Sequence, residues 1–223
     1  MAALRIVADN NIPCVQKAFG PLGAVRTMDG EAISAADLRD VDILLVRSVT
    51  SVGPSLLEGS SVQFVGSATA GTDHVNETHL QAADIAFAHA PGSNARSVAD
   101  YVMAAVLSLA YRAGEEVQDR TAGIIGCGHV GERVARRLEA LGLRVLRNDP
   151  PLADAADGDG RDHPYVPLST VQAEADLISL HVPLTETGPY PTRSTVDRSF
   201  LTAVQDGTWH LNTARGPVVG RSP

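Results

Sequence analysis

The chain has 223 residues, 44% of them hydrophobic, which is enough for two small domains with real cores. Its net charge of −8 argues against a basic surface that binds nucleic acid. Cys14 and Cys127 are far apart and fit no metal-ligand spacing, and no stretch is long and apolar enough for an export signal or a membrane span, so we expect a cytoplasmic protein without disulfides or metal.

The first part of the chain alternates short apolar runs with helical stretches. Strands are predicted in LRIVAD, GAVRTM, DILLVRSV, VQFVGSA and IAFAHAP. Helices are predicted in NIPCVQKAFG, in SAADLRDV after the N-cap Ser34, and in HVNETHLQAAD. This alternation predicts a parallel sheet with helices on both sides, in which ligands bind beyond the carboxyl ends of the strands. The loops RSVTSVG and SATAGTDH are therefore candidate binding loops.

Pro91-Gly92 ends this first unit, and a long helix in SVADYVMAAVLSLAYR begins the second. Six apolar residues recur there at helical spacing and predict one buried face: Val98, Tyr101, Val102, Ala105, Val106 and Leu109. Next come the strand TAGIIG, the helix GERVARRLEALG, the strand RVLRNDP, and the acidic segment ADAADGDGRDH, which we expect to be a solvated loop. VQAEADLISLHVPL and the strand GTWHLNTA complete a second alternating unit. The sequence thus predicts two α/β domains, 1–92 and 93–223.

Three glycines in GIIGCGHVGERV stand between a predicted strand and a predicted helix. Gly126 permits a tight turn, Gly128 lets the main chain approach a pyrophosphate, and Gly131 lets the helix pack closely on the strand. The next strand ends in Asp149, whose carboxylate would accept hydrogen bonds from the adenine-side ribose and repel a 2′-phosphate. This pattern predicts a site for NAD rather than NADP, with Arg147 pointing away from it.

Seven stretches are familiar in combination: VRSVT, GSATAGTDHV, APGSNARSVADYV, GIIGCGHVGERV, NDPP, LHVPLT and LNTARGPVV. In order and content they resemble the D-isomer-specific 2-hydroxyacid dehydrogenases, from Leu4 to about Val219. The resemblance implies a flavodoxin-like substrate domain at 1–92 and an incomplete Rossmann NAD-binding domain at 93–223, both doubly wound parallel sheets. Within the family, VRSVT, ATAGTDHV and APGSNA imply oxidation of 4-phospho-D-erythronate at C2 with NAD, a step of pyridoxal phosphate biosynthesis.

The resemblance also implies roles for single residues. Ser48 and Thr69 resemble substrate contacts. Arg215 corresponds to the catalytic arginine, whose guanidinium would grip the substrate carboxylate and orient C2 for hydride transfer. Either Arg47 or Arg96 would neutralise the substrate phosphate. The implied cofactor contacts, from the ribose and pyrophosphate to the nicotinamide, are Asp149, Gly126, Gly128, His129, Val130, Gly131, Thr213 and Ala214.

Some stretches depart from the family pattern. Val182 stands where the family has a threonine beside the cofactor, so one hydrogen bond is lost. RGPVVGRSP replaces the usual RGAVVDNxAL, and the tail GRSP resembles the end of a displaced reading frame. We therefore expect a C-terminally truncated copy of doubtful activity, without the family's glutamate and histidine acid/base pair or its dimerisation region. None of the seven histidines matches the family's catalytic motif: His74, His79, His89, His129, His163, His181 and His210.

Two alternatives to this function remain from the sequence. One is another D-2-hydroxyacid dehydrogenase, acting on glycerate-type or keto-acid substrates. The other is a non-catalytic NAD-binding fragment. The expected partner is a small phosphorylated 2-hydroxy acid, with neither nucleic acid nor membrane, and the full-length family member is expected to be a homodimer.

Overall fold

The computed structural model describes residues 3–220. Apart from Gly220, the tail GRSP lies outside the described residues. The chain forms two compact units, one ending at Ser93 and the other beginning at Asn94. The boundary expected after residue 92 differs from this division by one residue, and the assignment of the first unit to substrate binding stays a prediction.

The first unit is a five-stranded parallel sheet between two layers of helices. Its strands are β1 (Leu4–Asp9), β2 (Gly23–Met28), β3 (Ile43–Val46), β4 (Phe64–Ser67) and β5 (Ala86–His89). Its helices are α1 (Val15–Phe19), α2 (Pro54–Leu57) and α3 (Glu77–Ala82), with short 3-10 helices at Gly30–Ala32 and Ala35–Leu38. The strand order β2-β1-β3-β4-β5 is that of flavodoxin-like folds, which confirms the predicted class.

Both faces of this sheet are buried, as its continuous apolar strands predict. Val7, Leu44 and Val65 point to the side of α2 and α3, whereas Ile6 and Leu45 point to the side of α1. The segment after Ser34, predicted as a helix, forms only a four-residue 3-10 helix. Its start is a capping box in which the Ser34 amide donates to the carboxylate of Asp37 at 3.1 Å, and the Ser34 hydroxyl donates to the same carboxylate.

The second unit is a four-stranded parallel sheet of the Rossmann type, again covered on both faces. Its strands are β6 (Thr121–Ile125), β7 (Arg144–Asn148), β8 (Leu177–Leu180) and β9 (Trp209–Asn212). Its helices are α4 (Ala95–Ala113), α5 (Gly131–Ala140), α6 (Pro150–Gly158), α7 (Leu168–Glu174) and α8 (Arg198–Ala203), followed by a 3-10 helix at Gly216–Val218. The strand order is β7-β6-β8-β9, and a single bridge joins Arg147 to Tyr165 on the outer side of β7.

The buried face of α4 agrees with the predicted one at Val102 and Val106 and differs at Tyr101 and Leu109. Tyr101 is 66% exposed and Leu109 is 36% exposed, so these two side chains lie on the surface. The face that is buried, largely against α5, consists of small residues: Ala95, Ala99, Val102, Val106 and Ala110. Small side chains let two helices approach closely, and a hydrophobicity pattern that favours large residues misses the alanines of such a face.

The acidic segment predicted as a loop is partly helical, because α6 extends to Gly158. The Asp149 side chain caps this helix by accepting a hydrogen bond from the Leu152 amide at 3.2 Å. Pro150 and Pro151 occupy the first helical positions, where proline is favoured, and the run is rich in alanine. These local signals outweigh the acidic composition. From residue 3 to 220, no helix combines the length and apolarity needed to cross a membrane.

Candidate cofactor and substrate sites

Each of the three positions after β6 holds a glycine for a different structural reason. Gly126 has φ +88°, and a Cβ there would lie 2.8 Å from the backbone of His181. A Cβ on Gly131 would lie 1.9 Å from the Gly126 carbonyl oxygen, so helix and loop pack too closely for a side chain. A Cβ on Gly128 would meet no atom within 4 Å. Gly128 therefore borders open space, where a ligand can approach the main chain.

The N-terminus of α5 follows this loop and offers an anion-binding end. The helix has ten residues, and Val130 at its N-cap provides no capping side chain. The first N–H groups of a helix carry partial positive charge and attract phosphates. Arg133 adds a guanidinium near this end, because it donates to the carbonyl oxygen of His129 at 2.6 Å.

Asp149 follows β7 and faces the same loop. One carboxylate oxygen accepts a hydrogen bond from the Cys127 amide at 2.7 Å, and the other accepts from the Leu152 amide at 3.2 Å. Each oxygen has a second lone pair, so the carboxylate can still accept hydrogen bonds from two ribose hydroxyls. Burial is the main cause and the charge of Asp149 the second cause that raise the pKa of Cys127 to about 12, so this thiol is protonated at neutral pH.

Arg147 is turned toward α5 by two carboxylates. Its guanidinium donates two hydrogen bonds to Glu139, at 2.7 and 3.1 Å, and one to Glu132 at 3.2 Å. The hydrogen bonds from Arg147 also lower the pKa of Glu139. Residues 147 and 149 are two positions apart and would share a face of an extended strand, so these ion pairs, rather than strand alternation, keep the arginine from serving a 2′-phosphate.

Gly126, Gly128 and Asp149 line one cavity of about 470 Å³ at the carboxyl ends of β6, β7 and β8. The glycine loop and the acidic residue that the sequence predicts are therefore brought together. The cavity is mainly apolar on its other walls, and Val182 is one of these wall residues. An apolar cavity with a carboxylate and a helix N-terminus at its rim fits the adenosine and pyrophosphate of a dinucleotide.

A loop after β8 closes this cavity, and sequence reasoning missed it. Tyr190 lines the cavity, and its hydroxyl donates to a carboxylate oxygen of Asp154 at 2.7 Å. Thr185 and Thr192 hold the loop through reciprocal hydrogen bonds from each backbone amide to the other hydroxyl, at 2.8 and 3.1 Å. The only signal in the sequence is the tyrosine between prolines in GPYP.

His181 connects the cavity to the end of β9. Its Nε2 lies 2.9 Å from the Ser179 hydroxyl, and its Nδ1 lies 3.1 Å from the Thr213 hydroxyl. Burial lowers the pKa of His181 to about 4, so the ring is neutral at pH 7. The sequence assigns this histidine no role in the family's catalytic motif, and in the structure it links the cavity wall to Thr213.

Thr213, Ala214 and Arg215 follow β9 and are not among the residues lining this cavity. Arg215 is half-buried, and its guanidinium donates to the Ala214 carbonyl at 3.0 Å. Asn212 shapes the turn by donating to the Arg215 carbonyl at 2.9 Å and accepting from the Ala214 amide at 3.0 Å. The turn lies at the same edge of the sheet as the glycine loop, two strands away from β6.

The two predicted substrate contacts lie in the first unit. Val46 is paired with Ser67 in the sheet, so Ser48 and Thr69 follow neighbouring strands at equal distance in sequence. Ser48 is exposed and Thr69 is half-buried. They therefore share the carboxyl edge of the sheet, as the two candidate loops predict.

The candidate phosphate-binding arginines lie in different units. Arg47 precedes Ser48, and one of its terminal nitrogens is 3.9 Å from the carboxylate of Asp9, a fully buried residue at the end of β1. Arg96 lies on α4 in the second unit. Arg47 is thus the arginine that shares a loop with a predicted substrate contact.

Comparison with known proteins identifies the second unit. The family model described as D-isomer specific 2-hydroxyacid dehydrogenase, NAD binding domain, matches residues 93–222. The erythronate-4-phosphate dehydrogenase of Salinibacter ruber is 58% identical over 219 residues, which are 98% of this chain and 56% of that protein. The enzyme of the same name from Azotobacter vinelandii is 47% identical over 216 residues. The chain spans about 56% of the length of these relatives.

Solved structures share the fold at lower identity. The NAD⁺-bound 3-phosphoglycerate dehydrogenase of Entamoeba histolytica has a TM-score of 0.82 and 24% identity, over 98% of this chain and 74% of its own. The D-lactate dehydrogenase of Aquifex aeolicus, complexed with NAD and lactic acid, has a TM-score of 0.76 and 24% identity, over 96% of this chain and 70% of its own.

Proposed function

Because the chain belongs to the D-isomer-specific 2-hydroxyacid dehydrogenase family, we propose that it carries the cofactor and substrate sites for the NAD-dependent oxidation of 4-phospho-D-erythronate to 2-oxo-3-hydroxy-4-phosphobutanoate. The observation that carries this proposal is the cavity in which the open space at Gly128 meets the Asp149 carboxylate, in a chain 58% identical to an erythronate-4-phosphate dehydrogenase. A cytoplasmic location, a homodimer and a place in pyridoxal phosphate biosynthesis belong to the same proposal. Free thiols at Cys14 and Cys127 support the location.

NAD is the cofactor, and when bound it accepts a hydride from the substrate. In this proposal the amides from Gly128 to Gly131, including those of His129 and Val130, hold the pyrophosphate at the uncapped end of α5. Gly126 keeps the loop turned toward the cavity, and Asp149 accepts the ribose hydroxyls. Thr213 and Ala214 line the nicotinamide side, where neutral His181 fixes the Thr213 hydroxyl.

Four residues are the proposed substrate contacts. Arg215 grips the carboxylate and orients C2. Ser48 and Thr69 contact the substrate, and Arg47 binds the phosphate. The position of Arg47 supports this role, since its side chain is 38% exposed while Asp9 beside it is fully buried, so the guanidinium has one anchored side and one open side.

The cofactor half of the proposal is tested by titrating the protein with NADH and measuring nicotinamide fluorescence. Asp149→Asn keeps an acceptor oxygen for one of the two backbone amides but loses the charge, and we expect about tenfold weaker binding or more. The matched control is Asp157→Asn on the same helix, whose carboxylate is 73% exposed and pairs with His163. Equal affinity of wild type and Asp149→Asn would contradict the role of Asp149.

The substrate half is tested by calorimetry with 4-phospho-D-erythronate and unphosphorylated D-erythronate. Wild type is expected to bind the phosphorylated acid more tightly, and Arg47→Gln should remove most of this difference. Arg39→Gln, which removes an exposed arginine of the same unit, is the control. Equal binding of both acids by wild type would refute recognition of a phosphate.

A further inference from the structure

A chain of hydrogen bonds runs through the first unit and ends at Thr69. The Ser67 hydroxyl, on a residue only 4% exposed, lies 3.0 Å from Nε2 of His74 and 2.8 Å from the Thr69 hydroxyl. The Thr69 hydroxyl in turn donates to the Gly71 carbonyl at 3.3 Å. Three consecutive polar groups are therefore joined behind a predicted substrate contact.

The number of protons on the side chains fixes which group donates in each of these hydrogen bonds. A carbonyl oxygen only accepts, so the single proton of the Thr69 hydroxyl is used toward Gly71. Ser67 must then donate to Thr69, which uses its own single proton. The contact between Ser67 and His74 needs a proton as well, and only Nε2 of His74 can supply it. Each bond thus points from the histidine toward Thr69.

The loop that carries these hydrogen bonds is tied to the loop after β3. The Val52 amide donates to the His74 carbonyl at 2.8 Å, and the Asn76 amide donates to the Val52 carbonyl at 2.8 Å. The buried Thr50 hydroxyl donates to the Gly30 carbonyl at 2.8 Å. The histidine is therefore held in place by backbone pairing with the loop that also contains Arg47 and Ser48.

We propose that Ser67 and His74 are positioning residues that leave Thr69 with only an acceptor lone pair for its ligand, so that Thr69 recognises a hydroxyl group rather than a phosphate or carboxylate oxygen. The inference rests on the proposed function for the statement that Thr69 contacts substrate. A hydroxyl oxygen that accepts from Ser67 and donates to Gly71 has one lone pair left, and an anionic oxygen has no proton to give it.

The two ends of the substrate are thereby divided between two residues. Arg47 offers charge-assisted hydrogen bonds to the phosphate, while Thr69 accepts from the 3-hydroxyl. We assign the 3-hydroxyl because the 2-hydroxyl must lose its proton in the oxidation, and a neutral threonine is no base. Specificity for a 2,3-dihydroxy acid would follow from this division.

The proton on His74 can be observed without any ligand. In the whole chain labelled with ring-¹⁵N histidine, long-range ¹H–¹⁵N correlation distinguishes protonated from unprotonated ring nitrogens, and the His74→Gln spectrum assigns the signals. We expect a proton on Nε2. A ring protonated on Nδ1 alone would reverse the chain of hydrogen bonds and overturn the proposal, whatever the substrate is.

The recognition of a hydroxyl is tested by binding of 4-phospho-D-erythronate and of 2-hydroxy-4-phosphobutanoate, which lacks the 3-hydroxyl. We expect wild type to prefer the first by about fivefold or more, and Ser67→Ala and His74→Leu to reduce this preference without weakening the 3-deoxy compound. His74→Gln retains an N–H donor and should keep most of the preference. Ser61→Ala, whose hydroxyl bonds to the Val41 carbonyl before β4, is the control.

The possible outcomes separate the two proposals. If wild type binds both acids equally, the inference about Thr69 is wrong and the proposed function stands. If it binds neither acid, the proposed function fails, and with it the assignment of a ligand to Thr69. Backbone ¹H–¹⁵N spectra of each variant show whether the first unit is folded.

Discussion

His181 shows how burial sets the chemistry of one residue. The ring lies between the hydroxyls of Ser179 and Thr213 and is kept neutral by the loss of solvent, which lowers its pKa to about 4. A neutral imidazole has one donor and one acceptor nitrogen, so it can bond to both hydroxyls at once. The family resemblance drew attention to Val182 beside it, whereas the side chain that organises this point is the histidine.

The lowered pKa of His181 makes the second unit acid-sensitive. An unfolded histidine has a pKa of about 6.5, so between that pH and about pH 4 the unfolded chain takes up a proton that the folded chain does not. The free energy of unfolding therefore decreases as the pH is lowered through this window, by up to about 3 kcal/mol for this residue. Above the window, protonation of His181 does not affect stability. His181→Gln has no ring to titrate, so its stability should fall less.

This difference is measured by urea unfolding of both proteins at pH 7 and pH 4.5, followed by fluorescence of Trp209, the chain's single tryptophan. Wild type should lose more stability than His181→Gln between the two pH values. An equal loss in both proteins would contradict a buried, neutral His181.

At the scale of elements, the turn between β6 and α5 contains glycines that folding requires and one, Gly128, that binding requires. Gly131→Ala would place a Cβ 1.9 Å from the Gly126 carbonyl oxygen, so it should lower the free energy of unfolding by several kcal/mol. Gly128→Ala meets no protein atom within 4 Å and should leave stability nearly unchanged, while its methyl group weakens NADH binding. Thermal unfolding and NADH titration of the two variants check this contrast, which fails if Gly128→Ala binds NADH like wild type.

The α4–α5 packing gives a second test at this scale. Ala99 is fully buried on the face of small residues, and Ala99→Leu should lower the free energy of unfolding by about 1–3 kcal/mol through overpacking. Tyr101→Ala, on the exposed side of the same helix, should change it by less than about 0.5 kcal/mol. Urea unfolding measures both, and a larger effect at Tyr101 would restore the face that the hydrophobic pattern predicts.

These elements also show what the sequence can and cannot predict. The strands were predictable because buried parallel strands are continuous apolar runs, and the site edge followed from their carboxyl ends. The buried face of α4 was predictable only at Val102 and Val106, since alanines carry little hydrophobic signal although they decide how near α5 lies. Tyr190 depends on a contact with Asp154 of α6, and the hydrogen bonds from His74 to Thr69 depend on how one loop folds back on itself, which no hydrophobic pattern encodes.

At the scale of the whole molecule, the aromatic residues are unevenly distributed between the units. Trp209 and all four tyrosines belong to the second unit, and the first unit contains neither residue type. The tyrosines are Tyr101, Tyr111, Tyr165 and Tyr190. Fluorescence and near-ultraviolet circular dichroism of tryptophan and tyrosine therefore report on the Rossmann-type unit in the intact chain. No dissection of the protein is needed to follow cofactor binding.

This distribution allows a prediction for the whole chain. At an NAD concentration of one hundred times Kd, the free energy of unfolding of the second unit should rise by about 2.7 kcal/mol, because NAD binds only the folded form. Trp209 fluorescence during urea unfolding, with and without NAD, measures the change. Asp149→Asn at the same NAD concentration should gain less, and a wild-type transition that NAD does not move would exclude binding to this unit.

The double engagement of Asp149 affects any attempt to redesign cofactor preference. The carboxylate that would bind the ribose also accepts hydrogen bonds from the Cys127 amide and from the start of α6. Replacing it with a small neutral residue would therefore open the site and at the same time destabilise the loop and helix around it. Arg147 cannot supply the positive charge that a 2′-phosphate needs, because it is already paired with Glu132 and Glu139. A change of coenzyme in this protein therefore requires a new acceptor for the Cys127 amide before it requires a new cation.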